Sequence, residues 1–235
     1  TIRYRPFPLV IAAPSGTGKT TLCRTLLERL GSDTDVAFVF NPTLTGEELL
    51  RAISVEFGLL TVGLSRAQLS DRLNEFLLDQ KCLGRRVLLI VDEAQNLSPQ
   101  VLEQVRLLTN LETSRHKLLR IILVGQPELQ QLLARKDLRQ VDQRITARYH
   151  LTPLSWAETA SYIRHRLAVA GMPDYLFTPM AIMLVYVLTR GVPRMINTLC
   201  ERSLLAIFTT GAKRVTPSMV WRAMREVRGH HPGSG

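Results

Sequence analysis

Short unbroken apolar runs alternate along this chain with longer segments in which apolar residues recur every three or four positions. The first pattern predicts buried strands and the second predicts amphipathic helices. Residues 7–12 read as a strand and 19–30 as a helix stopped by Gly31. A second strand, 36–40, is closed by Asn41-Pro42. Thr45-Gly46-Glu47-Glu48 and Ser65-Arg66-Ala67-Gln68 are capping boxes. The helices they open carry Leu49, Leu50, Ile53 and Phe57, then Leu69, Leu73, Phe76 and Leu77, as apolar stripes. Residues 87–91 are continuously apolar, as in a strand covered on both faces of a parallel sheet. Ser98-Pro99 opens a helix with Val101, Leu102, Val105 and Leu108 inward, and the stretch from Leu119 to Pro127 is the next buried strand, ending in the amide Gln126.

Between 128 and 150 the pattern breaks into short helical pieces rich in Arg and Gln, followed by a short strand at 149–151. Beyond Pro153 no further strand is predicted. Helices are expected from Ser155 to about Ala170 and over 179–189, 193–210 and 217–228. The organisation expected is therefore an α/β doubly wound parallel sheet over residues 1–152 and an all-helical domain over 153–228. Residues 229–235 are expected to form a linker or disordered tail.

Composition narrows the setting. The longest apolar run, 181–188, is far short of the roughly 20 residues needed to span a bilayer, so no membrane span is expected. Cys23, Cys82 and Cys200 have neither metal-ligand spacing nor the even count of a disulfide framework. A reducing, cytoplasmic setting and structural roles for all three are expected. The first six residues have no long apolar region and no initiator Met, which reads as a fragment without a signal peptide. The net charge is +10, with +6 of it in residues 151–235. Such a surplus suits nucleic acid, acidic headgroups or an acidic partner, and a nucleotide site also demands it.

The chemistry sits where strands end. Ala13-Pro14-Ser15-Gly16-Thr17-Gly18-Lys19-Thr20 follows the first strand and opens the first helix, which is the layout of a phosphate-binding loop. Small residues let backbone N–H groups approach phosphate oxygens at a helix N-terminus. Lys19 can reach the β- and γ-phosphates of ATP, and the Thr20 hydroxyl can ligate Mg²⁺. Ala13 stands where the pattern has Gly, so the loop requires negative φ there. Asp92 and Glu93 end the apolar run, where Asp92 can hold the metal and Glu93 can polarise an attacking water. Gln126 ends the neighbouring strand and can bond that water or the γ-phosphate.

In this order the motifs resemble an AAA+ ATPase, a P-loop NTPase. Gly16-Thr17-Gly18-Lys19-Thr20-Thr21 matches Walker A, Leu88 to Gln95 matches Walker B, and Gln126 falls at sensor 1. The resemblance implies that the helical tail is the family's lid, and that Arg194, in Gly191-Val192-Pro193-Arg194, contacts the γ-phosphate as sensor 2. It also implies an arginine finger acting on a neighbour's ATP, with Arg144 fitting best and Arg148 second, and hence a homo-oligomer, a ring or filament. Val124-Gly125-Gln126-Pro127-Glu128-Leu129 and Met195-Ile196-Asn197 narrow the likeness to the ExeA/GspA group of secretion and pilus-biogenesis ATPases. That implies assembly of an envelope complex with protein partners, at the inner membrane through regions outside this chain. A related branch, the transposition regulators similar to TnsC, TniB and MuB, implies the alternative of double-stranded DNA and a transposase as partners. A nucleotide switch that hydrolyses little is the third reading.

Overall fold

The structure, a computed structural model, describes residues 8–40, 44–112 and 117–229. Asn41-Pro42 and residues 230–235 of the expected tail lie outside the described residues, and Gly229, expected in that tail, ends the last helix instead. The chain divides into two compact units. One comprises the stretch up to Ser15 with Lys19–Leu151, and the other comprises Gly16–Gly18 with Thr152–Gly235.

The first unit is a five-stranded sheet of β1 (Leu9–Ala12), β2 (Thr34–Val39), β3 (Arg86–Val91), β4 (Leu119–Gly125) and β5 (Ala147–His150). All pairings are parallel, in the order β2-β3-β4-β1-β5. Strand alternation sends Val10, Val39, Leu89, Val91, Ile121 and Leu123 to one face. There they meet α2 (Gly46–Glu56), α3 (Arg66–Cys82) and α4 (Pro99–Leu108) through Leu49, Ile53, Leu73, Leu77, Leu102 and Val105. The other face, with Leu9, Ile11, Leu88, Ile90, Ile122 and Val124, is covered by Cys23, Leu26 and Leu27 of α1 (Lys19–Arg29). Both faces being buried is why the central strands read as continuous apolar runs.

The predicted capping boxes are present, with Thr45 and Ser65 accepting from the backbone N–H groups of Glu48 and Gln68, and Ser155 forms a third with Glu158. The edge strands differ from the expected bounds. β2 starts at Thr34, because Arg86 and Arg85 opposite it pair with Asp33 and Asp35, and those ion pairs extend the ladder into polar sequence. β5 runs over 147–150 rather than 149–151, and its solvent-facing side chains leave no apolar pattern to read. Short helices α5 (Glu128–Leu133) and α6 (Arg139–Arg144) fill the stretch between β4 and β5.

The second unit contains α7 (Trp156–Val169), α8 (Pro179–Thr189), α9 (Pro193–Thr210) and α10 (Pro217–Gly229). They close on Ile163, Phe177, Val185, Ile196, Leu199, Val220 and Met224. The unit is mostly helical rather than wholly so, since Phe177 and Val215 form an isolated parallel bridge.

Candidate active site

β4 lies between β1 and β3, so the segments leaving these three strands emerge side by side at their C-terminal ends. Ligands collect at such ends in open parallel sheets. The loop 13–18 leaves β1, Asp92 and Glu93 follow β3, and Gln126 follows β4.

The loop's unusual residue has a structural account. The Ala13 amide donates to the Gly125 carbonyl at 3.0 Å, and Ala13 is 0% exposed. Among the described residues only Glu93 and Arg190 are non-glycine with positive φ, so Ala13 needs none of glycine's freedom. That freedom is used at Gly16 (φ +78°) and Gly18 (φ +100°), and no heavy atom lies within 4 Å of where a Gly18 Cβ would stand. Lys19, the first residue of α1, is 6% exposed, and its ammonium donates to the carbonyls of Ala13 (3.0 Å) and Pro14 (3.3 Å). Its charge is therefore held at the mouth of the loop.

Asp92 is 2% exposed, and both its oxygens are engaged. One accepts from the Thr20 hydroxyl at 3.3 Å and the other from the Glu93 N–H at 2.8 Å. Asp92 and the surrounding burial push the neighbouring Cys23 thiol up to about 11, burial being the larger cause.

Glu93 has left-handed backbone (φ 52°), a conformation disfavoured for a residue with a Cβ, and it turns the chain sharply off β3. Its Oε2 accepts from the side-chain amides of Gln95 at 2.5 Å and Gln126 at 3.4 Å. Gln95 Oε1 in turn accepts from the Gln126 N–H at 2.9 Å. Sequence reading singled out no role for Gln95. The available signal was an amide two residues beyond an acid pair, within reach of the same strand end.

These donors suit Mg-ATP. A loop with two left-handed glycines presents N–H groups to an anion, and an ammonium stands beside it. A hydroxyl and a buried carboxylate in contact match Mg²⁺, which takes one or two protein oxygens and completes its shell with phosphate and water. Among the described residues no group of three or more His, Cys, Asp or Glu forms a metal cluster. Pro14, Ser15, Thr17 and Thr21 belong to the loop or to the first turn after it.

Of the three expected arginines, Arg194 meets the loop through its backbone N–H, which donates to the Gly16 carbonyl at 3.1 Å, whereas Arg144 and Arg148 lie on other elements. Arg144 is the exposed last residue of α6. Arg148, on edge strand β5, is tied to the Asp142 carboxylate at 2.6 Å. Arg194 lies in the first turn of α9, in the second unit, after a tight corner. At that corner Gly191 has φ +75°, its carbonyl accepts from the Leu154 N–H at 2.8 Å, and a Cβ would fall 1.9 Å from the Leu154 carbonyl oxygen. The expectation for the cysteines needs one correction: Cys23 and Cys200 are packed against apolar cores, whereas Cys82, at the end of α3, is exposed.

Residues 3–133 match the family profile described as AAA domain. General secretion pathway protein A of Aeromonas hydrophila is 46% identical over 224 residues, which make up 94% of this chain and 41% of that protein. The chain thus spans less than half the length of that relative. The Aeropyrum pernix ORC2 protein, solved as ADPNP-ADP complexes, covers 98% of this chain and 63% of its own at a TM-score of 0.74 and 18% identity. For Cdc6p of Pyrobaculum aerophilum the figures are 95% and 62%, 0.75 and 20%. For the RuvB Holliday junction branch migration motor of Thermotoga maritima they are 93% and 61%, 0.62 and 20%. At such identities these structures speak for the fold alone. Because the profile match extends over more than half of the chain, through the loop and both following strand ends, the chain belongs to the AAA family of P-loop ATPases.

Proposed function

We propose that this chain binds Mg-ATP at the strand ends of its first unit and hydrolyses it, and that the cycle drives assembly of a secretion or pilus envelope complex. The observation that carries the reading is the connected set Thr20–Asp92–Glu93–Gln126 beside the Lys19 ammonium. Residues 13–21 cradle the phosphates, Lys19 neutralises their charge, and Thr20 with Asp92 holds Mg²⁺. When bound, the metal neutralises charge developing on the phosphates. Glu93 takes the proton of the attacking water, and Gln126 orients that water. The family resemblance adds Arg194, in the helical lid over 153–228, as a γ-phosphate contact. It adds Arg144 as a finger supplied to a neighbouring copy, hence a ring or filament. Between the two finger candidates, the carboxylate partner of Arg148 and the free end position of Arg144 favour Arg144. The envelope role rests on the secretion relative's name and its identity over this region.

The test is ATP turnover by the purified chain, its loss in Lys19→Ala and Glu93→Gln, and retained ATP binding in Glu93→Gln. Turnover that survives Glu93→Gln unchanged overturns the base assignment. For the envelope role, host cells carrying only the Glu93→Gln protein should fail to assemble the secretion or pilus complex.

One feature supports the alternative of an ATP-dependent oligomer on double-stranded DNA that regulates a transposase. The solvent face of α10 carries Trp221 (52% exposed), Arg222, Arg225 and Arg228, opposite the buried Val220, Ala223 and Met224. Fluorescence anisotropy with a labelled duplex and saturating ATP decides it. Binding that weakens steeply with salt favours DNA, and none at low salt removes that reading.

A further inference from the structure

The side-chain amide of Gln95 joins two groups that the proposed reaction uses. Its Oε1 accepts from the backbone N–H of Gln126 at 2.9 Å, and its Nε2 donates to Glu93 Oε2 at 2.5 Å. The orientation of the amide is chemically required. A backbone N–H offers only a proton and an ionised carboxylate offers only lone pairs, so each end of the amide has one possible partner.

The space for this bridge is built into the strand end. A Cβ on Gly125 would stand 2.9 Å from Gln95 Oε1 and 2.9 Å from Leu129 Cδ2. A side chain there would crowd both, so the amide has its present place because residue 125 is glycine. Gln95 lies in the single helical turn Ala94–Asn96 that follows Glu93 and is sealed by the buried Ala94 and Leu97. Its backbone is thus anchored while its side chain reaches across to β4. Without Gln95, the Glu93 carboxylate keeps only the 3.4 Å contact to the Gln126 amide, on a side chain with several freely rotating bonds.

We propose that Gln95 is a positioning residue, bracing the Glu93 carboxylate against the end of β4 so that Glu93 and Gln126 address the same water. It does not touch the reacting atoms, and it acts through Glu93. This assignment rests on the proposed ATPase reading. It predicts that loss of the brace lowers the chemical step and spares nucleotide binding. Gln95→Leu removes both hydrogen bonds at similar volume. Gln95→Glu keeps the acceptor for Gln126 but sets a second carboxylate against Glu93.

The experiment compares wild type, both Gln95 variants, Glu93→Gln, and the double variant Gln95→Leu/Glu93→Gln. It measures steady-state ATP hydrolysis, single-turnover rates and binding of a fluorescent ATP analogue. The expected result is a fall in kcat of about 10- to 100-fold in Gln95→Leu, and at least as large in Gln95→Glu. Analogue affinity and KM should stay within about twofold. Because the brace works through Glu93, adding Gln95→Leu to Glu93→Gln should lower the residual single-turnover rate no further, whereas a general structural role would be additive. Wild-type kcat in Gln95→Leu, parallel loss of analogue binding in both Gln95 variants, or additivity in the double variant would each overturn the proposal. If Gln95→Leu does not fold, the isosteric Gln95→Glu decides by the same criteria. Wild-type protein with no turnover overturns the ATPase reading and this proposal with it. An active wild type with an unaffected Gln95 variant overturns this proposal alone.

Discussion

The Thr20 hydroxyl donates to the buried Asp92 carboxylate at 3.3 Å across 72 residues of sequence. The contact joins the first turn of α1 to the end of β3. Asp92→Asn preserves the shape of this contact and removes the charge that the proposed Mg²⁺ site needs. Turnover should fall at least about 100-fold, with loss of saturable Mg²⁺ dependence in an ATPase titration. An unchanged Mg²⁺ response would remove Asp92 from the metal.

Ala13→Gly would restore the common loop pattern yet should weaken the protein. The methyl is fully buried, and the position has no positive φ for glycine to relieve. The expected cost is about 1 kcal/mol, or a Tm lower by about 2–4 °C, with nucleotide affinity unchanged. Thermal unfolding monitored by circular dichroism measures it, and a stabilised variant would contradict the packing account.

Arg144→Ala should retain ATP binding and lose turnover by about 100-fold or more, because a finger acts on transition-state charge. Mixing it with Glu93→Gln protein should restore activity at mixed interfaces, since each supplies what the other lacks. Intact oligomers with no recovery would dismiss Arg144 from the role. Arg148→Ala breaks an exposed ion pair to Asp142 and a long hydrogen bond to its carbonyl, and its stability should change by no more than about 1 kcal/mol.

Gly191 and Gly211 both have positive φ in the second unit, +75° and +64°, but their surroundings differ. A Cβ at Gly191 meets the Leu154 carbonyl oxygen at 1.9 Å, while at Gly211 nothing lies within 4 Å. Gly211→Ala should therefore cost only the backbone term of about 1–2 kcal/mol. Gly191→Ala adds an overlap with immovable backbone and should cost more than about 3 kcal/mol. Denaturant unfolding of the two variants separates them, and equal costs would contradict the close approach.

The three thiols should differ sharply in reactivity. Burial pushes Cys23 up to about 11 and Cys200 up to about 12, so both remain protonated near neutral pH, whereas Cys82 is exposed. The thiolate is the reactive form. One equivalent of a thiol reagent should react quickly with folded protein at about pH 8, and all three thiols after unfolding. Cys82→Ser should abolish the fast phase.

Much of the fold was legible because its signals are local. Capping boxes at Thr45 and Ser65 satisfy helix-end N–H groups within four residues, so they can be read without knowing any neighbour. The run 87–91 showed burial on both faces because each side chain records its own environment. The phosphate loop was legible for the same reason: a strand, small residues and a helix start are contiguous. Edge strands β2 and β5 were misjudged at their ends, since pairing by cross-strand ions or on a solvent face leaves no periodic trace.

The sequence by itself therefore determined the alternation of strands and helices, the loop at 13–20 and the acid pair at 92–93. Only the tertiary structure decided that β4 lies between β1 and β3, which sets Gln126 beside Glu93 and brings Asp92 to Thr20. The same arrangement gave Ala13 a partner in Gly125 and Gln95 its place between Glu93 and Gln126. The physical reason is that local hydrogen bonding and burial are written residue by residue. Strand order is set by the packing of the whole sheet, and no stretch of a single strand encodes it.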